Sequence, residues 1–188
     1  MSTAKFYSDA FKLENQQAHQ THKQYGSVSG YVFYFGGENL PLMGTSVLTL
    51  IRELEPGTVL DYGCGKGLGA DNLVYNYPDL HVTKYDPFVD QFAQQPQAQY
   101  DMVICYNVLQ IVEQEYLDAV IQHCVELTKK NLFLNILYNK KSPRDLAWWS
   151  TALSEYPVVA KGTSIPKPSH DRHGETFDSS NVSFWIQK

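Results

Sequence analysis

The stretch Val-Leu-Asp-Tyr-Gly-Cys-Gly-Lys-Gly, residues 59–67, decides the fold. An apolar run ends in Asp61, and three glycines then follow at alternate positions, Gly63, Gly65 and Gly67. Glycine lets the chain turn tightly and lets a ligand lie against the backbone, where side chains would block it. The pattern predicts a buried strand, a tight turn that touches a ligand, and a helix after the turn.

A second acidic residue ends the next predicted strand. This strand runs from His81 to Asp86, and Asp86 follows Asp61 by 25 residues. A carboxylate at the carboxyl end of a strand can accept two hydrogen bonds from ribose hydroxyls. Because the carboxyl ends of parallel strands meet at one edge of a sheet, Asp86 should lie beside the glycine turn. The two segments together predict a site for an adenosine-containing ligand.

Helical and strand patterns alternate along the rest of the chain. A further helix should begin with Ser142 as its N-cap and Pro143 at its first position, and a polar loop should extend through Asn181. The order predicts a doubly wound α/β sheet that is parallel at first and receives an antiparallel strand near its C-terminal end. Helices are predicted over residues 45–55, 66–77 and 114–129, and strands over 58–61, 81–86, 101–106, 132–137, 157–160 and 182–186.

The chain is predicted to form one domain with an N-terminal extension. Residues 1–24 are polar and rich in Gln and His, which favours an arm or a loosely attached helix. Residues 26–44 are rich in glycine and aromatic residues and are typical of an ordered loop. We therefore expect residues 1–44 to be an arm and loop belonging to the same domain as the ligand-binding residues 45–188.

The composition is that of a globular protein, with 43% hydrophobic and 19% charged residues among 188. No apolar run approaches the ~20 residues that cross a bilayer, and the first residues lack the apolar core of a signal peptide. The expectation is a cytoplasmic protein without a membrane partner. Three widely spaced cysteines form neither a disulfide framework nor a metal-binding CxxC pair.

The charge is unevenly distributed. The net charge of −5 argues against a general nucleic-acid-binding protein. Residues 1–128 carry a balance of −9, whereas residues 129–188 carry +4. Lys140, Lys141 and Arg144 follow a central strand and should lie near the mouth of the site. One interpretation is a small, anionic acceptor molecule steered by these cations; the other is ordinary solvated surface charge.

Three segments resemble motifs of the class I methyltransferases that use S-adenosylmethionine (SAM). Asp61-x-Gly63-x-Gly65-x-Gly67 resembles motif I, Asp86-Pro87-Phe88 resembles the acidic segment after it, and residues 100–110 resemble motif IV with its extension. The segments stand in the family's order over roughly residues 45–140, and the chain is similar to short methyltransferase-like proteins of bacteria and phages. The resemblance implies a Rossmann-like sheet, SAM as co-substrate and methyl transfer as the activity.

The resemblance also implies roles for individual residues. The glycine turn would hold the methionine part of SAM, Asp86 its ribose, and the two residues after Asp86 its adenine. No general base and no metal ligand is identified. The predicted cofactor-binding residues are Asp61, Tyr62, Gly63, Gly65, Asp86, Pro87, Phe88 and Asn107, and the candidates for orienting the substrate are Tyr106, Asn107, Tyr138 and Asn139.

The sequence departs from the family pattern at two places. Only 15 positions separate Asp86 from Asp101, which is too short for the usual helix, strand and second helix. Strand 3 and one helix should therefore be missing or vestigial, together with the acid that contacts the adenine amino group in relatives. Gln110-Ile111 stands where many relatives have Glu-His, so a histidine base from that position is excluded.

Other patterns have competing interpretations. Gly65-Lys-Gly67-Leu-Gly-Ala70 matches a dinucleotide fingerprint, but Asp61 would repel a pyrophosphate and suits the cationic SAM better. The segment from His170 through His173 to Glu175 lacks zinc-site spacing and indicates a solvated loop. Trp148-Trp149 favours helix packing over a stacking platform. His19 and His22 could reach over the site as a lid.

Three functions remain open at this point. The first is methyl transfer from SAM to a small-molecule or nucleotide-type acceptor. The second is a non-catalytic SAM-binding partner or regulator, which Gln110-Ile111 and the shortened sheet favour. The third is a nucleic-acid-modifying methyltransferase. Only the basic C-terminal third of the chain supports it, and residues 105–108 lack the Pro-Pro-Tyr pattern of amino-methylating DNA enzymes. The oligomeric state is not predicted.

Overall fold

The computed structural model describes residues 5–21, 47–138, 144–163, 167–170 and 176–188. These ranges hold helices on both faces of a mixed sheet. The helices are α1 Asp9–Thr21, α2 Val47–Leu54, α3 Leu68–Asn76, α4 Gln114–Leu127 and α5 Leu146–Ala152. The strands are β1 Thr58–Tyr62, β2 His81–Tyr85, β3 Tyr100–Tyr106, β4 Thr128–Tyr138, β5 Val158–Thr163, β6 Lys167–His170 and β7 Thr176–Gln187.

The sheet has the strand order β2-β1-β3-β4-β7-β5. Strand β1 pairs in parallel with β2 and β3, and β3 pairs in parallel with β4. Strand β7 is antiparallel to both β4 and β5, and the short β6 pairs with its first half. The predicted doubly wound sheet with a C-terminal antiparallel strand is confirmed.

The shortened middle of the sheet is also confirmed. Residues 86–99, which are fully described, contain one short 3-10 helix at Asp90–Phe92 and no strand. The chain passes from β2 directly to β3, which lies on the other side of β1. Strand β2 is therefore an edge strand of the sheet, and its neighbour β1 leads into the glycine turn.

The two faces of the sheet bury separate apolar clusters, because successive strand residues point to opposite sides. On one face Val59 of β1 packs with α2 and α3. On the other face Leu60 packs with α4 and α5, including the fully buried Trp149. The three described cysteines are buried and unpaired, as expected for small apolar side chains.

Several predicted boundaries were wrong. Strand β4 begins at Thr128 rather than near 132, inside the predicted helix 114–129, and β6 lies in the predicted polar loop. Helix α5 begins at Leu146 with Asp145 as its N-cap, whose side chain accepts a hydrogen bond from the Trp148 amide at 2.9 Å, so Ser142 is not the cap. An aspartate cap is as favourable as a serine cap, and sequence alone does not choose between them. Strand β7 begins at Thr176 rather than near 182. Residues 176–181 are mostly polar and favoured a loop, whereas pairing with β4 and β6 extends the strand over them.

Candidate functional site

The glycine turn after β1 is tied directly to the end of β2. The backbone amides of Gly63 and Cys64 both donate to the Tyr85 carbonyl, at 2.7 and 3.0 Å. Gly63 and Gly65 have φ values of +79° and +55°, in the left-handed region that favours glycine. A Cβ atom at Gly63 would lie 2.2 Å from Cγ2 of Val108, in the loop after β3. The turn therefore requires glycine for both its backbone angles and its close packing.

Asp86 holds the turn from the side of β2. Its Oδ2 accepts a hydrogen bond from the Gly65 amide and its Oδ1 accepts one from the Phe88 amide, both at 2.9 Å. The residue is 5% exposed. Because each carboxylate oxygen has two lone pairs, both oxygens retain the capacity to accept a further hydrogen bond from a ligand.

Two buried carboxyl groups make this end of the sheet electronegative. The pKa of Asp61 is raised to about 7, mainly by burial and also by the neighbouring Asp86, while Lys84 acts to lower it. Burial also raises the pKa of Asp86, against the hydrogen bonds that its carboxylate accepts. A cationic ligand placed here would relieve the repulsion between the two groups, since opposite charges favour the ionised carboxylate.

A cavity of about 240 Å³ opens at this end of the sheet. Seven of the eight predicted cofactor-binding residues line it; Asp61 is buried beside it without lining it. Of the candidates for orienting a substrate, Tyr106 and Asn107 line the cavity, whereas Tyr138 packs against the core. Asn139 lies outside the described residues. The structure thus brings the motif I, post-I and motif IV segments together around one space.

Asn107 lines this cavity and carries a buried polar atom. Its backbone is in the left-handed region, with φ of +55°, and its amide donates to the Asn135 carbonyl at 2.8 Å. Its side-chain Oδ1 is buried and has no hydrogen-bond partner among the described residues. A buried acceptor without a partner is costly, so a ligand N–H or O–H would stabilise it.

The N-terminal segment supplies a wall of the cavity, of which the sequence had suggested only a lid formed by His19 and His22. Phe6, Tyr7, Phe11, Asn15 and His19 all line it. Tyr7 and Phe11 contact the Phe88 ring edge-on, with centroids 5.1 and 5.6 Å apart. The recurrence of Phe11, Asn15 and His19 every fourth residue was the available signal, because this spacing places all three on one helix face. His22 lies outside the described residues.

Helix α1 is fastened to the start of α4. The Glu113 carboxylate accepts hydrogen bonds from both the amide and the hydroxyl of Ser8, each at 2.7 Å. The Ser8 hydroxyl in turn accepts from the Phe11 amide and caps the helix. Phe6, just before the cap, is buried in the core on the α4 side. The arm is thus an anchored helix with a defined face toward the cavity.

His123 is a second residue that sequence reasoning missed. It is buried on α4, its Nδ1 is hydrogen-bonded with the Tyr62 hydroxyl at 3.1 Å, and Phe6 stacks on its ring at 4.5 Å. Burial lowers the pKa of His123 and raises that of Tyr62. The Tyr62 hydroxyl is therefore engaged inside the protein, and Tyr62 offers its ring to the cavity.

The predicted cation cluster is only partly described. Lys140 and Lys141 lie outside the described residues. Arg144 donates to the Gln114 side chain at 3.0 Å and to the Leu109 carbonyl at 3.2 Å, and its guanidinium lies over the half-buried Trp148. Arg144 does not line the cavity. Trp149 is fully buried in the core and Trp148 packs against it, which confirms the interpretation as helix packing.

The described part of the chain shows no group of three or more His, Cys, Asp or Glu side chains placed to hold a metal ion. His173 and Glu175 are outside it. Among the same residues, no helix combines the length and the hydropathy that a membrane crossing needs.

Residues 39–180 match a family model described as a methyltransferase domain. The match covers most of the chain, and the chain belongs to this family, with a SAM-dependent methyltransferase domain of the class I type. A comparison with curated proteins finds no significant sequence match.

Solved structures share the fold at low sequence identity. TehB from Haemophilus influenzae is 15% identical with a TM-score of 0.54, over 76% of this chain and 61% of that one. The N-methyltransferase NodS from Bradyrhizobium japonicum, in complex with S-adenosylhomocysteine (SAH), gives 11% and 0.56, over 94% and 98%. The 1,6-didemethyltoxoflavin-N1-methyltransferase of Burkholderia thailandensis gives 10% and 0.59, over 100% and 94%. The chain thus spans about three-fifths of TehB and nearly all of the other two.

The residues at the cavity fit SAM. The glycine turn leaves open backbone beside the space, the buried acids favour a cation, and the Asn107 oxygen can accept a hydrogen bond from an ammonium group. The cavity volume is slightly below the range of about 300–1,000 Å³ that is typical of ligand pockets. A molecule as large as SAM would therefore extend to the cavity mouth, where Ile111 is 46% exposed.

Proposed function

We propose that this protein transfers the methyl group of SAM to a small-molecule or nucleotide-type acceptor, with SAM held in the cavity at the carboxyl ends of β1, β2 and β3. The observation that carries the proposal is the convergence of Gly63, Gly65, Asp86 and Asn107 on one space beside the buried carboxyl group of Asp61. A dinucleotide would bring phosphate charges to the same carboxyl groups, which would repel them.

Each contact has a distinct role in the proposal. Asp86 accepts hydrogen bonds from the ribose hydroxyls with the lone pairs that the Gly65 and Phe88 amides leave free. Pro87 and Phe88 flank the adenine. Asp61 lies behind the turn and acts through its charge, because it does not reach the cavity. Asn107 accepts from the ammonium group of the methionine part.

When bound, SAM supplies an electrophilic methyl group that an oxygen, nitrogen or carbon nucleophile can take, with the electron pair of the broken bond passing to sulfur. The protein contributes alignment of the acceptor and exclusion of water. The aromatic lining serves the second purpose, since Tyr85, Phe88 and Tyr106 surround the cavity with apolar surface. Tyr106 also lies at the end of β3, where its ring can orient an acceptor; we propose the same role for Tyr138 at the end of β4.

An anionic acceptor has weaker support than the site itself. Among the described residues no Lys or Arg lines the cavity, and Arg144 is engaged with Gln114 and Leu109. The positive balance of residues 129–188 remains its only support. The proposal therefore extends to uncharged and cationic small molecules as well.

Titration calorimetry with SAM and SAH tests the cofactor site, and the formation of SAH from SAM in the presence of a panel of small-molecule acceptors tests the activity. Binding of both ligands with turnover on at least one acceptor would support the proposal. The absence of heat and of a thermal shift at millimolar ligand would contradict it. Binding without turnover on any acceptor would favour the non-catalytic SAM-binding alternative.

Replacing Asp86 with alanine should weaken SAH binding by at least about tenfold, because one charged hydrogen bond contributes roughly 1.5–3 kcal/mol. Calorimetry on the purified variant measures the change. The matched control is Asp90→Ala, which removes an exposed carboxylate four residues further along and should leave the affinity unchanged. An unchanged affinity in Asp86→Ala would mean that this carboxylate only supports the turn.

A further inference from the structure

Helix α1 lies where the shortened sheet leaves the cofactor cavity without a neighbouring strand. Strand β2 is the edge of the sheet, and residues 86–99 return to β3 without adding a strand. Tyr7 and Phe11 pack against Phe88, directly after β2. The N-terminal segment thus closes the cavity on the side of the residues that follow β2.

The orientation of α1 is fixed at its beginning. Ser8 is held by two hydrogen bonds to Glu113, and Phe6 is only 7% exposed. From this anchor, Phe11, Asn15 and His19 follow at four-residue intervals and all reach the cavity. His19 lies 11 residues beyond Ser8, about 16 Å along the helix axis at 1.5 Å per residue. The helix therefore delivers an imidazole to the cavity from an anchored end.

His19 and Asp86 influence each other. Both line the cavity. Burial lowers the pKa of His19, Asp86 acts to raise it and Lys66 acts to lower it. His19 in turn acts to lower the pKa of Asp86. The two groups thus interact electrostatically and line one cavity, and a neutral imidazole offers one hydrogen-bond donor and one acceptor.

The chemistry of a ribose hydroxyl requires both kinds of partner. The Asp86 carboxylate can only accept, so it uses the hydroxyl hydrogens and leaves the hydroxyl oxygens without a donor. The Gly65 and Phe88 amides, which are nearest to Asp86, already donate to its carboxylate. His19, on α1, lines the same cavity, and an imidazole N–H is a hydrogen-bond donor.

We propose that His19 is a cofactor-binding residue that donates a hydrogen bond to a ribose hydroxyl of SAM opposite Asp86, so that the N-terminal helix completes the cofactor site. This inference rests on the proposed function, because it assumes that SAM occupies the cavity. It assigns to α1 a part in cofactor recognition rather than only in covering the site.

Two ligands separate a direct contact from an indirect one. SAH and its 2′,3′-dideoxy analogue differ only in the ribose hydroxyls, and calorimetry gives the affinity of each for the wild type and for His19→Ala. With SAH, His19→Ala should lose about three- to tenfold in affinity, the value of one neutral hydrogen bond. With the dideoxy analogue the two proteins should bind equally, because the partner of the imidazole is gone.

Two further variants complete the experiment. Gln20→Ala removes an exposed side chain from the next position of α1 and should not change the affinity for either ligand. His19→Gln keeps an N–H donor and should recover part of the SAH affinity. Thermal unfolding of each variant without ligand should match the wild type, which separates a lost contact from a lost fold.

The outcomes are distinct. An equal loss of affinity for both ligands in His19→Ala, or no loss for either, would overturn the assignment of His19. The proposed function would stand in that case as long as the wild type bound SAH. If the wild type bound SAH and the dideoxy analogue equally, neither His19 nor Asp86 would contact the ribose. If the wild type bound neither ligand, the proposed function would fall together with this inference.

Discussion

Asp61→Asn should raise the free energy of unfolding of the ligand-free protein at pH 8 by roughly 4 kcal/mol, the equivalent of about three pKa units. Burial and the nearby Asp86 raise the pKa of Asp61 from 3.8 to about 7 in the folded protein. At pH 8 the folded state must therefore keep a buried charge that the unfolded chain would expose to water. The nearly isosteric amide removes the charge while it keeps the shape of the side chain.

The same pKa difference sets the pH dependence. Between about pH 4 and 7 the folded protein retains a proton on Asp61 that the unfolded chain has released, so wild-type stability should fall as the pH rises through this range and level off above it. Asp61→Asn should lose most of this slope. Urea unfolding followed by tryptophan fluorescence at pH 5, 6, 7 and 8 measures both effects. Asp79→Asn, at an exposed carboxylate before β2, is the matched control and should follow the wild-type profile.

Equal slopes of unfolding free energy against pH in the wild type and Asp61→Asn would show that Asp61 is ionised throughout, with an ordinary pKa.

The expected stabilisation also has a functional counterpart. Because the charge of Asp61 favours a cationic ligand, we expect the more stable variant to bind SAM more weakly than the wild type does. Such an exchange between stability and activity is common at functional sites.

Gly63→Ala should destabilise the protein by about 2–5 kcal/mol and abolish SAH binding. A left-handed backbone costs a residue with a Cβ about 1–2 kcal/mol, and Gly63 has φ of +79°. Overpacking adds about 1–3 kcal/mol, because the new Cβ would lie 2.2 Å from Cγ2 of Val108. Chemical denaturation gives the stability and calorimetry gives the binding.

The two contributions can be separated with a second substitution. In Gly63→Ala/Val108→Ala the clashing γ-carbons are removed, so the packing cost should disappear relative to Val108→Ala alone, and the backbone cost of about 1–2 kcal/mol should remain. Gly57→Ala is a control at a glycine without a positive φ and with a looser Cβ position, 3.3 Å from Asp101 Oδ2. If Gly63→Ala were as stable as Gly57→Ala, the turn would not require glycine.

The sequence predicted those parts of the protein that depend on local patterns. Apolar runs ending in Asp61 and Asp86 located β1 and β2, and the glycines located the turn between β1 and α3. The short interval to Asp101 predicted the missing strand, because chain length limits a crossover. Seven of the eight predicted cofactor-binding residues meet at one cavity, since strand order brings their segments to one edge of the sheet.

The remaining features depend on contacts between distant parts of the chain. Nothing in the pattern of α1 indicates that Ser8 meets Glu113 or that Phe6 stacks on His123. Asn15 is polar yet almost fully buried, so hydropathy places its helix face toward solvent. The first half of β7, residues 176–181, was missed because its residues are mostly polar, although it pairs with β4 and β6. Tertiary packing decided these cases against the local pattern.

The bond between Ser8 and Glu113 has a consequence for the order of folding. The two residues are 105 positions apart, so during synthesis α1 waits for its partner for roughly 5–20 s at ordinary ribosomal rates. In that interval the strands β1 to β3 can already pair, whereas Ser8 and Phe6 still lack their partners Glu113 and His123. A contact of such high sequence separation is closed late, since the entropy of a long loop opposes it. The anchored wall of the cavity is therefore a late product of folding, and a ribosome-bound chain that ends before α4 would carry the glycine turn without the Ser8–Glu113 anchor of α1.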